Sequence, residues 1–178
     1  FIDCAIQLAN LDVAPGDIDT IKCKVGDGTV HRLWEPLSEK RNPSTPYSAK
    51  FSVPFCIAVA LVDGAAGLGQ FTEEKISDEA ILSLANSVSY QIDPENDYPA
   101  NYSGHIRATL KDGTMHVVEQ PHLRGGGHEP LSVAELNAKF HANLGFGGWG
   151  EDRAAALQIW CEGLFDAADL SGLKGFRQ

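Results

Sequence analysis

An apolar run of ten residues, 53–62, most constrains how this chain folds. Together with Ala49, its side chains at Val53, Cys56, Ile57, Ala60 and Leu61 fall on one face of a helix. Proline is tolerated only in the first turn of a helix, so Pro54 places the helix start near Val53, with Ser52 as the N-cap and Gly64 as the stop. A bilayer span needs about 20 apolar residues. The run therefore predicts an amphipathic helix and no membrane span.

Three segments carry the signals of β-strands. Residues Ile18–Val25 alternate, with Ile21, Cys23 and Val25 on the apolar side. Residues Gly104–Leu110 and 114–119 flank an Asp112-Gly113 pair, which is the favoured turn of a hairpin. Residues Val88–Ile92 form a further short strand. Alternation of this kind predicts a sheet with one buried face and one face in contact with solvent.

Helical patterns surround these strands. We expect helices over 2–11, within 71–85, after Ser132, where Glu135 completes a capping box, and over 151–168. Residues 26–46 are rich in polar residues, glycine and proline and predict a loop that Trp34 and Leu37 anchor. The order predicts one α+β domain over residues 1–178, a two-layer sandwich whose mostly antiparallel sheet carries helices on one face.

Charge and cysteine content exclude several classes of function. The formal net charge is −10, and no run of basic residues would attract a phosphate backbone, so we expect neither nucleic-acid binding nor a basic membrane-surface role. The four cysteines are widely spaced, and three lie in apolar surroundings, which predicts reduced thiols and a cytoplasmic protein. The chain begins at Phe1 without Met, which suggests a fragment of a longer protein.

Few residues carry signals of chemistry. The glycines at 67, 69 and 125–127 lack the strand-then-helix context of a phosphate loop. His122 and His128 bracket the second glycine run without a Cys or carboxylate at ligand spacing, so we predict no metal site. His105 and His116 are expected to form an exposed cross-strand pair.

The start of the helix at Val53 offers the better candidate. Free N–H groups at a helix start favour anions, and Lys50 would add a full positive charge, with Lys40 and Arg41 in the preceding loop. These features predict a carboxylate-binding site. The alternatives are that Lys50 is a solvated surface lysine and that Ser52 only caps the helix.

The same segment carries a family resemblance. Residues 46–55, PYSAKFSVPF, followed by AVALVDG at 58–64, resemble the "eAkFSvpY…vAxaLxdG" signature of the MmgE/PrpD family. The strand at 18–25, the Asp112-Gly113 hairpin, the stretch from Pro130 to Phe140 and the residues that begin at Phe1 resemble further family segments in the same order. The resemblance extends over nearly the whole chain.

The resemblance implies a fold and an activity. Family members join a large helical domain to a smaller α+β domain around a cleft, and known activities include 2-methylcitrate dehydratase, cis-aconitate decarboxylase and iminodisuccinate epimerase. By resemblance, this chain is the small C-terminal domain of a cofactor-independent lyase that removes a proton beside a carboxylate of a small polycarboxylate. The Asp and His residues thought to transfer protons would lie in the helical domain, so we expect no turnover by this chain alone.

The resemblance also implies site residues and partners. Lys50, Ser52 and Phe55 would bind substrate on the small-domain side of the cleft, and no catalytic residue or metal ligand is assigned to this segment. The signature often has Tyr where this chain has Phe55, and Phe lacks the hydroxyl donor. The implied partners are the helical domain of the same parent chain and a second copy in a homodimer. An isomerase or epimerase of the family and a non-catalytic lid or dimerisation module remain alternatives.

Overall fold

The computed structural model describes residues 1–177 of the chain. These residues form two compact units, Phe1–Pro130 and a second unit from Leu131 onward. The single domain expected over residues 1–178 is therefore organised in two parts. The buried hydrophobic cluster belongs entirely to the first unit, and in the second unit Ala154 is the one hydrophobic side chain that is buried among the residues described.

The first unit contains six α-helices and four strands among its described residues, and three short 3-10 helices at Pro15–Asp17, Leu68–Gln70 and Lys75–Ser77. In chain order the α-helices and strands are α1 (Ile2–Ala9), β1 (Ile18–Val25), α2 (Asp27–Leu33), α3 (Leu37–Arg41), α4 (Pro46–Ala49), α5 (Val53–Asp63), α6 (Glu79–Asn86), β2 (Val88–Ile92), β3 (Gly104–Leu110) and β4 (Met115–Gln120).

The four strands form one mixed sheet in the order β2-β1-β3-β4. Strand β1 pairs in parallel with β2, where Ile21 lies opposite Val88, and antiparallel with β3, where Cys23 lies opposite Ile106. Strands β3 and β4 form the antiparallel hairpin. Two of the three pairings are antiparallel, so the mostly antiparallel α+β sheet predicted from the sequence is confirmed.

One face of the sheet carries the core. Ile21, Cys23 and Val25 are buried, whereas Lys22 and Lys24 on the other face of β1 are exposed. Helix α1 packs against β3, β4 and α5, and α5 packs against α6. Helix α5 is buried from Pro54 to Leu61 because it lies among these elements. Burial of apolar surface on this one face is the main stabilising contribution to the unit.

Local signals place the ends of the predicted elements correctly. Ser52 caps α5 by accepting a hydrogen bond from the Phe55 N–H, and α5 ends at Gly64, whose φ of 68° is left-handed. Gly113 has φ of 88° in the hairpin turn. Glycine adopts such angles without the steric cost of a Cβ atom. The predicted strand at Val88–Ile92 is also confirmed.

The prediction of a loop over 26–46 is wrong, because α2 and α3 occupy most of it. Helices this short have little stability of their own and depend on tertiary packing. Trp34, at the end of α2, provides that packing: its ring is fully buried, 5.5 Å from Phe1 and 5.2 Å from Tyr90 between ring centroids. Leu37 packs at the edge of the same core.

Two predicted helices end earlier than expected, and one of them, α1, ends at Ala9 rather than at residue 11. The other two predicted helices begin at local caps. Within 71–85, the α-helix α6 begins only after Asp78, whose carboxylate caps it by accepting from the N–H groups of Ala80 and Ile81. In the second unit, α7 (Val133–Phe146) begins with the predicted capping box of Ser132 and Glu135. Helix α8 (Glu151–Glu162) ends at Gly163 rather than at residue 168.

Three of the four cysteines are buried free thiols, as predicted. Burial disfavours the thiolate, and it raises the pKa of Cys56 to about 12 and also raises the pKa values of Cys23 and Cys4. Among the described helices, none alone is long and apolar enough to cross a membrane. The helical segments Val53–Asp63 and Leu68–Ser77 together reach the required length and apolar composition, but they are bent by 108° relative to each other.

Candidate functional site

A groove with a cavity volume of about 570 Å³ lies on the first unit. Five separate stretches of chain form it: the start of α1, helix α2, the Lys50-Phe51 pair before α5, the loop from Asn96 to Ser103 and the end of β4 with the residues after it. Its volume falls within the usual range for pockets that bind small molecules, roughly 300–1,000 Å³. The groove is therefore the candidate functional site.

Glycines let the backbone approach the wall of the groove closely. A Cβ atom at Gly28 would lie 2.6 Å from the ring of Tyr98, and one at Gly26 would lie 2.5 Å from Oδ1 of Asn96. Real Cβ atoms do not come this close to other heavy atoms, so any larger residue at either position would move Tyr98 or Asn96. The shape of this wall depends on the two glycines.

Two cationic side chains, Lys50 and Arg32, line the groove. The Arg32 guanidinium carbon lies 5.3 Å from the ring centroid of Phe51, and the Lys50 Nζ lies 5.9 Å from that of Phe71. Within residues 1–177, no carboxylate lies within ion-pair distance of either cation. Such cations remain available to a negatively charged ligand, and aromatic faces favour their positions.

The acidic residue of the groove is already paired. Asp3 lines the groove, and its Oδ1 lies 3.3 Å from the Arg124 guanidinium. Because that pair is neutral as a unit, Asp3 offsets little of the positive potential that Lys50 and Arg32 create.

Lys40 ties together the two segments that carry these cations. Its ammonium donates to the Arg32 carbonyl at 2.6 Å and to the Phe51 carbonyl at 2.8 Å. The Lys40 carbonyl in turn accepts a hydrogen bond from the Ser52 hydroxyl. Partial burial lowers the pKa of Lys40, because desolvation disfavours its charged form. The end of α2 and the start of α5 are thus held side by side.

The expected anion site at the start of α5 needs correction. Pro54 has no N–H, the Phe55 N–H donates to the Ser52 hydroxyl, and the Cys56 N–H donates to the Ser52 carbonyl. Ser52 is only 1% exposed, so the helix start is closed to ligands. Lys40 and Arg41, expected to add charge there, instead bond carbonyl oxygens, in the case of Arg41 that of Val88. The positive potential comes from side chains in the groove rather than from helix amides.

The three sequence-predicted site residues lie in different environments. Lys50 is exposed and lines the groove. Ser52 is buried at the cap of α5, and Phe55 is fully buried, with its ring centroid 6.2 Å from that of Phe71. The structure thus brings Lys50 and Phe51 to the groove, while Ser52 and Phe55 lie beneath this segment.

Sequence reasoning missed Arg32, because it lies in the stretch predicted as a loop. A signal was present: Asp27 in the first turn and His31 and Arg32 in the last turn of α2 match the charges that a helix dipole favours. Charge placement of this kind could have indicated the helix and its basic end.

The histidines do not form the predicted cross-strand pair. Strand register places His105 opposite Glu119 and His116 opposite Ala108, so the expected pair of His105 and His116 is wrong. His122 lines the groove, and its ring stacks on that of His128 with centroids 4.8 Å apart. Over residues 1–177, no group of three or more His, Cys, Asp or Glu side chains is arranged to hold a metal ion.

Comparisons with known proteins show the family of this chain. A curated relative, cis-aconitate decarboxylase from Homo sapiens, is 28% identical over 103 residues, which are 57% of this chain and 21% of the relative. The chain thus matches about a fifth of that relative's length. The family model of the MmgE/PrpD C-terminal domain matches residues 1–161. Because this match covers most of the chain, the chain belongs to the MmgE/PrpD family and carries its C-terminal domain.

Proposed function

We propose that this chain is the small domain of a cofactor-independent, dehydratase-like lyase that acts on small polycarboxylates. The observation that carries the proposal is the groove, where Lys50 and Arg32 lack acidic partners within residues 1–177 although the chain has a net charge of −10. An acidic protein attracts an anionic substrate only where its positive potential is concentrated.

In this proposal Lys50 binds a substrate carboxylate. Ser52 and Phe55 contribute indirectly, because they fix the position of Lys50. The Ser52 hydroxyl fixes the α5 start against Lys40, and Phe55 packs on Phe71, the ring beside the Lys50 ammonium. A base on the helical domain of the parent chain removes the proton beside the carboxylate. The positive charge of Lys50 stabilises the enolate-like transition state.

The proposal is tested by isothermal titration of the 178-residue chain with citrate. A charge-assisted hydrogen bond contributes about 1.5–3 kcal/mol, so Lys50→Ala should weaken binding by about tenfold or more. Lys22→Ala, which removes an exposed lysine outside the groove, is the matched control and should leave the affinity unchanged. Absence of citrate binding, or equal affinity for the native chain and Lys50→Ala, would contradict the proposal.

A second candidate is a module for assembly, with a helical domain or a second copy as the partner. It is favoured by exposed apolar side chains in the second unit, among them Val133, Ile159 and Phe165, the last of which is 99% exposed. Of the 15 large hydrophobic side chains that are exposed among the described residues, seven lie in this shorter unit. A high density of exposed apolar side chains is typical of contact surfaces. Analytical ultracentrifugation separates the candidates: self-association without citrate binding supports the module, and Lys50-dependent binding by a monomer supports the substrate site.

A further inference from the structure

We propose that Arg32 is a specificity-determining residue, which together with Lys50 selects ligands that carry two carboxylates over ligands that carry one. This inference rests on the proposed function and assigns a second binding point within the same groove. Both cations line the groove, and no carboxylate in residues 1–177 forms an ion pair with either.

The Arg32 side chain is exposed and lies over an aromatic ring. Its guanidinium lies 5.3 Å from the Phe51 ring centroid, and Phe51 is the residue next to Lys50. A guanidinium stacked on an aromatic ring keeps its N–H edge free, and that edge matches the two oxygens of a carboxylate. Phe51 therefore couples the position of the second cation to the segment that carries the first.

The backbone reinforces this coupling. The Lys40 ammonium bonds both the Arg32 carbonyl and the Phe51 carbonyl, so the two cation-bearing segments cannot separate without loss of at least one of these hydrogen bonds. A pre-arranged pair of cations binds two carboxylates with less loss of conformational freedom than two independent side chains would.

The other described side chains that line the groove add no unpaired negative charge beside this pair. Asp3 is held by Arg124, and Tyr98, Tyr102 and Ser103 are neutral hydrogen-bonding groups. A ligand with one carboxylate pairs with a single cation, whereas a second carboxylate gains a further charge-assisted contact. The second contact should raise affinity by about tenfold, as expected for one ion-paired hydrogen bond.

The test compares glutarate with pentanoate, which have the same number of carbons and differ in the second carboxylate. Titration of the native chain should give about tenfold tighter binding of glutarate. Arg32→Gln should bind pentanoate as the native chain does and lose the preference for glutarate. Arg32→Lys keeps the positive charge but loses the planar guanidinium, so it should retain a preference for glutarate that is smaller than that of the native chain.

Arg107→Gln provides the matched control, because Arg107 is exposed on β3 and does not line the groove. It should leave both affinities unchanged. An unchanged glutarate preference in Arg32→Gln, or an equal loss in Arg107→Gln, would overturn the role of Arg32 while a Lys50-dependent affinity for citrate still stands. If the native chain binds no carboxylate, the proposed function and this inference fail together.

Discussion

Replacement of Ser52 by alanine tests whether the contact between the α5 start and Lys40 stabilises the first unit. The Ser52 hydroxyl has two roles, since it accepts from the Phe55 N–H at 3.0 Å and donates to the Lys40 carbonyl. The side chain is 1% exposed, so water cannot replace either partner without rearrangement. Ser52→Ala therefore leaves one donor and one acceptor unsatisfied.

The expected destabilisation follows from these two losses. Removal of a serine N-cap costs about 1 kcal/mol. The Lys40 carbonyl is only partly buried, so the loss of its donor costs a further amount in the lower half of the usual range, about 1–2 kcal/mol. We expect the free energy of unfolding of the first unit to fall by about 2–3 kcal/mol in total. With a urea dependence of about 2 kcal/mol per molar, the midpoint of unfolding should fall by about 1 M or slightly more.

Urea unfolding followed by tryptophan fluorescence measures this change. Trp149 and Trp160 lie in the second unit, so their replacement by phenylalanine leaves the fully buried Trp34 as the reporter of the first unit. Thr45→Ala is the matched control, because the Thr45 hydroxyl also caps a helix of the first unit but is exposed. It should cost about 0.5–1 kcal/mol.

The difference in stability loss between Ser52→Ala and Thr45→Ala measures the contribution of the hydrogen bond to the Lys40 carbonyl. If Ser52→Ala destabilises the unit no more than Thr45→Ala does, the hydrogen bond to the Lys40 carbonyl contributes nothing measurable. The account of how the α2 end and the α5 start are held together would then be refuted.

Three further predictions concern the core and the groove. Phe55→Ala removes a fully buried ring and should lower the free energy of unfolding by about 3–5 kcal/mol in the same urea assay; a loss below about 1 kcal/mol would contradict the burial of Phe55. Gly28→Ala places a Cβ atom against the Tyr98 ring and should weaken citrate binding, whereas Gly16→Ala, where a Cβ meets nothing within 4 Å, should not; equal effects would contradict the close approach. The pKa of Cys56 is raised by burial from 9.0 to about 12, so the folded state keeps a proton that the unfolded state loses, and stability should fall as pH rises above about 9, by about 1.4 kcal/mol per pH unit for this thiol. Cys56→Ala should remove that part of the slope in unfolding curves recorded between about pH 8.5 and 10.5, and an unchanged slope would contradict the assignment.

The elements that sequence reasoning located correctly are those with local signals. Ser52 and Gly64 mark the two ends of α5, and Asp112 with Gly113 marks the hairpin turn. Each signal involves residues only a few positions apart, so a short stretch of sequence contains all of the relevant chemistry. The family resemblance rests on the same stretches, and for that reason it could be identified before the fold.

The errors fall where distant contacts decide the structure. Helices α2 and α3 form because Trp34 is buried against Phe1 and Tyr90, which are distant in sequence. In the part of the chain that the structure describes, the anion site expected at the α5 start does not form. Ser52 is buried there, and its hydroxyl bonds the Lys40 carbonyl. A short segment of sequence does not reveal such distant partners. Its intrinsic helix propensity is only a weak indicator, because tertiary packing overrides it.

The sequence by itself determined the family, the α+β class, the sheet face that is buried and the identity of Lys50 as a candidate cation. Only the tertiary structure decided which side chains share the groove, since residues near 1, 30, 50, 100 and 120 meet there. The physical reason is the sequence separation of the contacts involved. Helix caps, turns and strand alternation depend on residues that are close in sequence. A binding surface depends on which segments distant in sequence pack together in the core.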